Sequence, residues 1–226
     1  MAGSISLLRL DDQFNATLDE LENTTDHYFI TGRAGTGKST LLRLWRRSSR
    51  KKVIVLAPTG SAALQVDGQT IHSFFGFPPR MMHPDELKPM RQRKLVKSLE
   101  AIIIDEISMV RADMIDQIDV ILRLTRGVDL PFGGIQMVFF GDLFQLPPIV
   151  SSEVERIYLN ENYDSPYFFS AHVWKQDITL VGIELTKIYR QEELDFLRLL
   201  EEIRYDNTDQ DTLDAINTRY HPSGAI

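Results

Sequence analysis

Apolar positions recur along this 226-residue chain in two rhythms. Leu10, Phe14, Leu18 and Leu21 lie three or four apart, as on one face of a helix, so LDDQFNATLDELENT predicts a helix. KSTLLRLWRRSSR has the same spacing, with Leu41, Leu42 and Trp45 inward, and so has ADMIDQIDVILRLT, with Met114, Ile118, Ile121 and Leu122 on one side. EELDFLRLLEEIR predicts a last helix. The second rhythm is a set of short unbroken apolar runs, HYFIT, KVIVLA, AIIIDE and IQMVFF, with DITLVGIELT adding one or two more. Such runs are strands buried on both faces, and their alternation with helices predicts an α/β fold whose parallel sheet is flanked by helices. PTGSAALQV reads as a turn and a small-residue helix, FGFPPR as irregular, and residues 80–99 as basic and partly helical.

Composition narrows the class. At 43% apolar and 25% charged, the chain suits one well-packed domain with some added elements. It has no cysteine, which excludes disulfides and thiolate metal sites, and its five histidines lack ligand spacing. No apolar run reaches the ~20 residues of a membrane span. The N-terminus lacks a basic stretch followed by an apolar one. The expectation is no membrane partner and a cytoplasmic or nucleoid-associated location (nuclear or mitochondrial in a eukaryote). The net charge of −7 argues against a nucleic-acid partner, but its distribution does not. Residues 31–99 hold fourteen Lys or Arg against Asp67, Asp85 and Glu86. That asymmetry predicts either an anion-facing side on an acidic body or two solvated Lys/Arg-rich helices.

The chemistry begins at GRAGTGKS, between a strand and a helix. Glycines at 32, 35 and 37 let the backbone N–H groups of Gly32, Arg33, Ala34, Gly35, Thr36 and Gly37 turn toward phosphate oxygens, and the following helix adds its positive end. Lys38 can reach β- and γ-phosphates, Ser39 can ligate Mg²⁺, and Thr40 follows on the same first turn. The run IIIDE delivers Asp105 and Glu106 at a strand's carboxyl end, where ligands bind in open α/β sheets. Asp105 is a candidate Mg²⁺ ligand, directly or through water, and Glu106 a candidate for polarising an attacking water. Together these motifs predict a P-loop nucleotide hydrolase using ATP and Mg²⁺.

APTGSAALQVDGQTIHSFFGFPP (57–79) and PFGGIQMVFFGDLFQLPP (131–148) resemble the Pif family of superfamily 1 DNA helicases, and LTKIYRQ with FLRLLEEIR resembles that family's following elements. The likeness runs, with gaps, from about residue 28 to 205. It implies a first RecA-like ATP-binding domain over 25–205, with a wedge-like insertion near 74–99, an N-terminal helix over 1–24 packing on it, and a tail over 206–226. It implies an ATP-dependent helicase moving 5′ to 3′ on single-stranded DNA, at forks or duplex junctions. Gln145 would sense the γ-phosphate near Asp142, on a segment stiffened by two prolines. Arg190 would contact the same phosphate, or instead pair with Glu192 or Glu193. Gln13 matches either the glutamine that reads adenine or a plain polar-face residue. Pro58, Thr59, Gly60, Thr70, His72 and Ser73 would touch DNA phosphates. Phe74 and Phe77 would stack on bases or pack inward, with Phe77 expected exposed. Lys88, Arg91, Arg93, Lys94 and Lys97 would extend the track or form a solvated face. Nothing after Arg204 resembles the second RecA-like domain that such helicases need to close the ATP site, so the expectation is one motor domain with weak turnover by itself. A nucleotide-gated DNA- or partner-binding module is the alternative. Oligomeric state is left open.

Overall fold

The computed structural model describes residues 11–189, Glu202 and residues 209–217. In chain order the elements are α1 (Asp12–Asn23), β1 (His27–Gly32), α2 (Lys38–Ser48), β2 (Val53–Ala57), α3 (Gly60–Gln65), β3 (Gln69–Thr70), α4 (Ile71–Phe75), α5 (Arg93–Ser98), β4 (Ala101–Ile104), α6 (Ala112–Arg126), β5 (Gln136–Phe140), α7 (Glu153–Asn162), β6 (Leu180–Leu185) and α8 (Gln210–Asn217). The strands form one sheet in the order β3-β2-β4-β5-β1-β6, with every neighbouring pair parallel.

Register sets up the site. Ile104 lies opposite Phe139 and Ile30 opposite Phe140, so the carboxyl ends of β4, β5 and β1 finish almost level. The pleat sends alternate residues to two cores. Ile102, Ile104, Met137 and Phe139 face α6, whose Ile115, Ile118 and Leu122 are buried with them. Ile103, Val138, Phe140 and Ile30 face α1 and α2, meeting Phe14, Leu21, Leu41, Leu42 and Trp45. Parallel strands covered on both faces need continuous apolar runs, which is why β4 and β5 are buried at every position. The helix expected near residue 192 lies outside the described residues. Among the described residues no helix is long and apolar enough to cross a membrane.

Two elements carried weak sequence signals. β3 has only two residues, formed because Leu56 and Ala57 pair with Gln69 and Thr70. α7 buries only Leu159, so no apolar stripe announced it. Its local signal was the capping box, in which Ser152 accepts from the Glu155 N–H and Glu155 accepts from the Ser152 N–H.

The basic stretch divides in two. Arg43 and Arg46 donate to the carbonyls of Gln65 and Val66, Arg50 pairs with Glu22, and Arg80 pairs with Glu86. Lys51 donates to Leu21 O, Thr24 O and Gln136 Oε1 at 2.7, 2.6 and 2.8 Å, tying α1 to the sheet. Lys88, Arg91, Arg93, Lys94 and Lys97 stand exposed. These five of the fourteen basic side chains in that stretch are therefore committed to contacts within the fold.

Glu22 anchors α1 to the end of α2. Burial pushes its carboxyl up, but hydrogen bonds from Ser49 Oγ, Arg50 N, Arg50 Nε and Trp45 Nε1 outweigh burial and hold it at about 2. Because the folded value is depressed from 4.5, the linked stability is full above that value and is lost as pH falls toward 2. Glu22→Gln is expected to cost ~2–3 kcal/mol at pH 7. Urea midpoints of variant and wild type should converge as pH drops from 5 to 2; a constant gap would contradict this linkage.

Candidate functional site

The loop after β1 turns back at once into α2. At Gly32 (φ 154°) an added Cβ would stand 2.6 Å from Leu185 O and 2.7 Å from Thr36 Oγ1, so only glycine fits between the loop and β6. Thr36 is fully buried and donates through Oγ1 to Arg33 O at 2.9 Å. Lys38 Nζ folds over the loop and donates to Gly32 O at 2.5 Å and Arg33 O at 3.3 Å. Ser39 and Thr40 are exposed on the first turn of α2, beside the N–H groups that a phosphate would meet.

Asp105 and Glu106 follow β4, with the Asp105 N–H bonded to Leu56 O at 2.9 Å. Burial, then the charge of Glu106, lifts the Asp105 carboxyl to about 6, while Lys38 and Arg43 pull it down. Glu106 itself is left-handed (φ 51°, ψ 44°), a conformation that costs a non-glycine residue ~1–3 kcal/mol and clusters at active sites. Two adjacent carboxylates in a partly desolvated edge suit a divalent cation, and the Ser39 hydroxyl and Asp105 carboxylate are the hard oxygen donors that Mg²⁺ takes. Among the described residues no group of three or more His, Asp or Glu could cage a metal, so phosphate oxygens and water would complete its shell.

The third part of the edge is GDLFQLPP. The Gly141 N–H bonds to Ile30 O, and a Cβ on Gly141 would lie 2.8 Å from Ile107 Cγ2, so this turn packs directly on the one after Glu106. Asp142 is buried (2% exposed); it accepts from Phe144 N at 3.1 Å and from Gln145 Nε2 at 3.3 Å. Asp142 O accepts from Gln145 N, closing a tight turn that leaves Gln145 exposed above it. A strand thus ends in Asp, apolar residues, Gln and prolines because the Asp builds the turn that carries the Gln.

The segment after β6 folds onto the loop from the other side. Tyr189 N donates to Gly35 O at 3.0 Å, and its hydroxyl donates to Asp11 Oδ2 at 2.5 Å. The Asp11 carboxylate pushes the Tyr189 phenol up to about 12, burial acting first. Sequence reading missed this clasp; the only signal was the Tyr before Arg190. Gln13 donates to Glu184 O at 2.7 Å and accepts from Thr186 N at 3.5 Å, so its amide is engaged with the backbone at the end of β6. Arg190 lies outside the described residues.

Pro58, Thr59 and Gly60 leave β2 at the same edge of the sheet. Thr59 caps α3 by accepting from Ala62 N at 3.2 Å, and Thr70 caps α4 by accepting from Ser73 N at 3.2 Å. Gly60 and Ser73 are exposed and His72 is half-buried. The aromatic expectation needs correction. Phe77 is 8% exposed, stacked on Phe75 at 5.4 Å, and Phe74 is 7% exposed. Both belong to the core between α4, β2 and α6, because the chain from Phe77 to Met90 folds back and buries their rings with Met90 and Val96. Neither ring is therefore a free stacking platform.

Residues 11–212 match the PIF1-like helicase family model. The chain belongs to the PIF1-like helicase family. It is 38% identical over 204 residues to the ATP-dependent DNA helicase PIF1 of Saccharomyces cerevisiae strain YJM789, covering 85% of this chain and 23% of that protein. It is 36% identical over 182 residues to the human ATP-dependent DNA helicase PIF1, covering 78% and 27%. The crystal structure of Bacteroides Pif1 bound to single-stranded DNA superposes with a TM-score of 0.87 at 40% identity, over 96% of this chain and 51% of that one. The Bacteroides enzyme in complex with ADP-AlF3 and single-stranded DNA gives the same TM-score and identity over 95% and 51%. The chain thus spans about a quarter of the curated PIF1 relatives' length and about half of the solved chains.

Proposed function

We propose that this chain is the first, nucleotide-binding motor domain of an ATP-dependent 5′-to-3′ DNA helicase, which couples ATP hydrolysis to movement on single-stranded DNA and to duplex unwinding. One observation carries the reading: the phosphate loop, the Asp105–Glu106 pair, the Asp142–Gln145 turn and the Thr59–His72 ledge all lie on one edge of one sheet. The relatives named for single-stranded DNA and ADP-AlF3 support it, and so does one named for unwinding at forked duplex DNA.

In this reading the loop N–H groups from Arg33 to Gly37 cradle the phosphates and Lys38 exchanges its loop carbonyls for β- and γ-phosphate oxygens. Ser39 and Asp105 hold Mg²⁺, which spreads the charge of those phosphates when bound. Glu106 takes a proton from the attacking water, and Gln145, released from Asp142, reports the γ-phosphate. Arg190 adds a permanent positive charge to the same phosphate. The relatives' extra length would supply the second RecA-like wall of the cleft and an arginine finger, worth ~10³-fold or more, so the single domain turns over slowly.

The test is titration of a fluorescent ADP analogue, with and without Mg²⁺, paired with phosphate release in the presence of oligo-dT. Nucleotide should bind, and Lys38→Ala should weaken it at least about tenfold, the scale of one charge-assisted phosphate contact. A chain that binds neither nucleotide nor oligonucleotide would end the proposal. Oligonucleotide affinity that shifts with nucleotide, with no turnover even beside a supplied second domain, would make the chain a gated binding module.

A further inference from the structure

Beside the Thr59 ledge opens a groove of about 270 Å³. Pro58, Phe77, Pro78, Met109 and Met114 wall it, with the uncharged Gln117 among its polar groups. His72 and Thr59 border it as well, so the groove adjoins the surface assigned to DNA without being the phosphate ledge itself.

Its charges decide what it can hold. Two arginines line it, and both are engaged. Arg111 donates to both Asp113 oxygens at 2.9 Å and to Glu155 Oε1 at 2.8 Å, and its side chain is only 12% exposed. Arg80 is paired with both oxygens of Glu86. Burial first, then the neighbouring Arg111 charge, holds the His72 imidazole below its ordinary range, so it stays neutral near pH 7. A phosphate would find no uncommitted cation here, and it would meet the Glu155 carboxylate. An uncharged flat ring would instead meet three prolines (Pro58, Pro78 and Pro79), two polarizable thioethers and, at Gln117 and His72, amide and imidazole groups for its edge.

We propose that this groove holds one nucleobase of single-stranded DNA, its faces against Met109 and Met114, while the sugar–phosphate chain passes over Thr59 and the start of α3. The assignment rests on the DNA reading above. Amide and imidazole can each present a donor or an acceptor, so the groove accepts any base, as befits an enzyme that moves along sequence. Met109 stands three residues after Glu106 in the same turn, so the occupied groove abuts the segment that carries the water-activating carboxylate.

The test compares oligo-dT with a strand of equal length made wholly of abasic residues, by fluorescence anisotropy on the full chain. Wild type should bind oligo-dT about fivefold tighter, within the range for a thioether sulfur against an aromatic ring. Met114→Ala and, independently, Met109→Ala should lower oligo-dT affinity about fivefold and leave abasic-strand affinity unchanged, with Met114→Leu restoring it. A wild-type chain that binds both strands equally, or variants that lose both affinities alike or neither, would overturn the groove assignment alone. Binding of neither strand would overturn the DNA reading and the groove with it.

Discussion

Beside a supplied second motor domain, Glu106→Gln is expected to lower oligonucleotide-stimulated ATP turnover by ~10²–10⁴-fold while nucleotide affinity stays within about twofold, because a positioned general base contributes on that scale. The substitution keeps the side chain's shape and removes only its proton acceptor. Glu106 holds a left-handed conformation at the end of β4, next to a turn that packs on Gly141, so an isostere should keep the backbone in place. Its charge is also the second cause, after burial, of the raised Asp105 carboxyl. Removing that charge should let Asp105 ionise more readily, so the Mg²⁺ concentration for half-maximal nucleotide binding should stay the same or fall. Phosphate release with saturating oligo-dT, beside equilibrium nucleotide titrations, measures both. Turnover within threefold of wild type would remove Glu106 from the chemistry.

Phe139→Ala is expected to destabilise the domain by ~3–5 kcal/mol, the range for deleting a fully buried aromatic ring. Phe139 is fully buried on β5, with Phe168 at 5.5 Å and Trp174 at 5.8 Å between ring centres. Those neighbours cannot easily collapse into the space. Trp174 Nε1 is bonded to Phe168 O at 2.9 Å, and β5 is held by strands on both sides. The cavity term should therefore be close to its full size. Urea unfolding at pH 7 reads the loss as a lower midpoint with unchanged slope. A shift equivalent to less than about 1 kcal/mol would mean that the aromatic cluster repacks.

Much of the architecture was legible because its causes are local. AIIIDE and IQMVFF have no polar face, which only a strand covered on both sides tolerates, and both are buried at every position from Ala101 to Ile104 and Gln136 to Phe140. The inward set Leu41, Leu42 and Trp45 followed from helical spacing and is buried as expected. The exposure of Phe77 was misjudged for a non-local reason. An aromatic residue between glycine and prolines reads as a loop tip until the following residues are seen folding back over it. The basic run left two readings open for the same non-local reason, since nothing in the sequence tells Arg46, bonded to Val66 O, from Arg93, which is exposed.

The sequence by itself determined the chemistry at each strand end: a glycine turn with Lys38 and Ser39, an acidic pair, an Asp with a Gln three residues on. Each depends on what one short segment's backbone allows, and a short segment carries that information. Only the tertiary structure decided that these ends meet. The strand order β4-β5-β1 and the register Ile104–Phe139 and Phe140–Ile30 bring residues from about thirty-five to about a hundred and ten positions apart onto one edge. The structure also decided which charges are left over, for Arg111 and Arg80 spend theirs on Asp113, Glu155 and Glu86. Packing, register and charge pairing are sums over distant neighbours, and no window of the chain contains them.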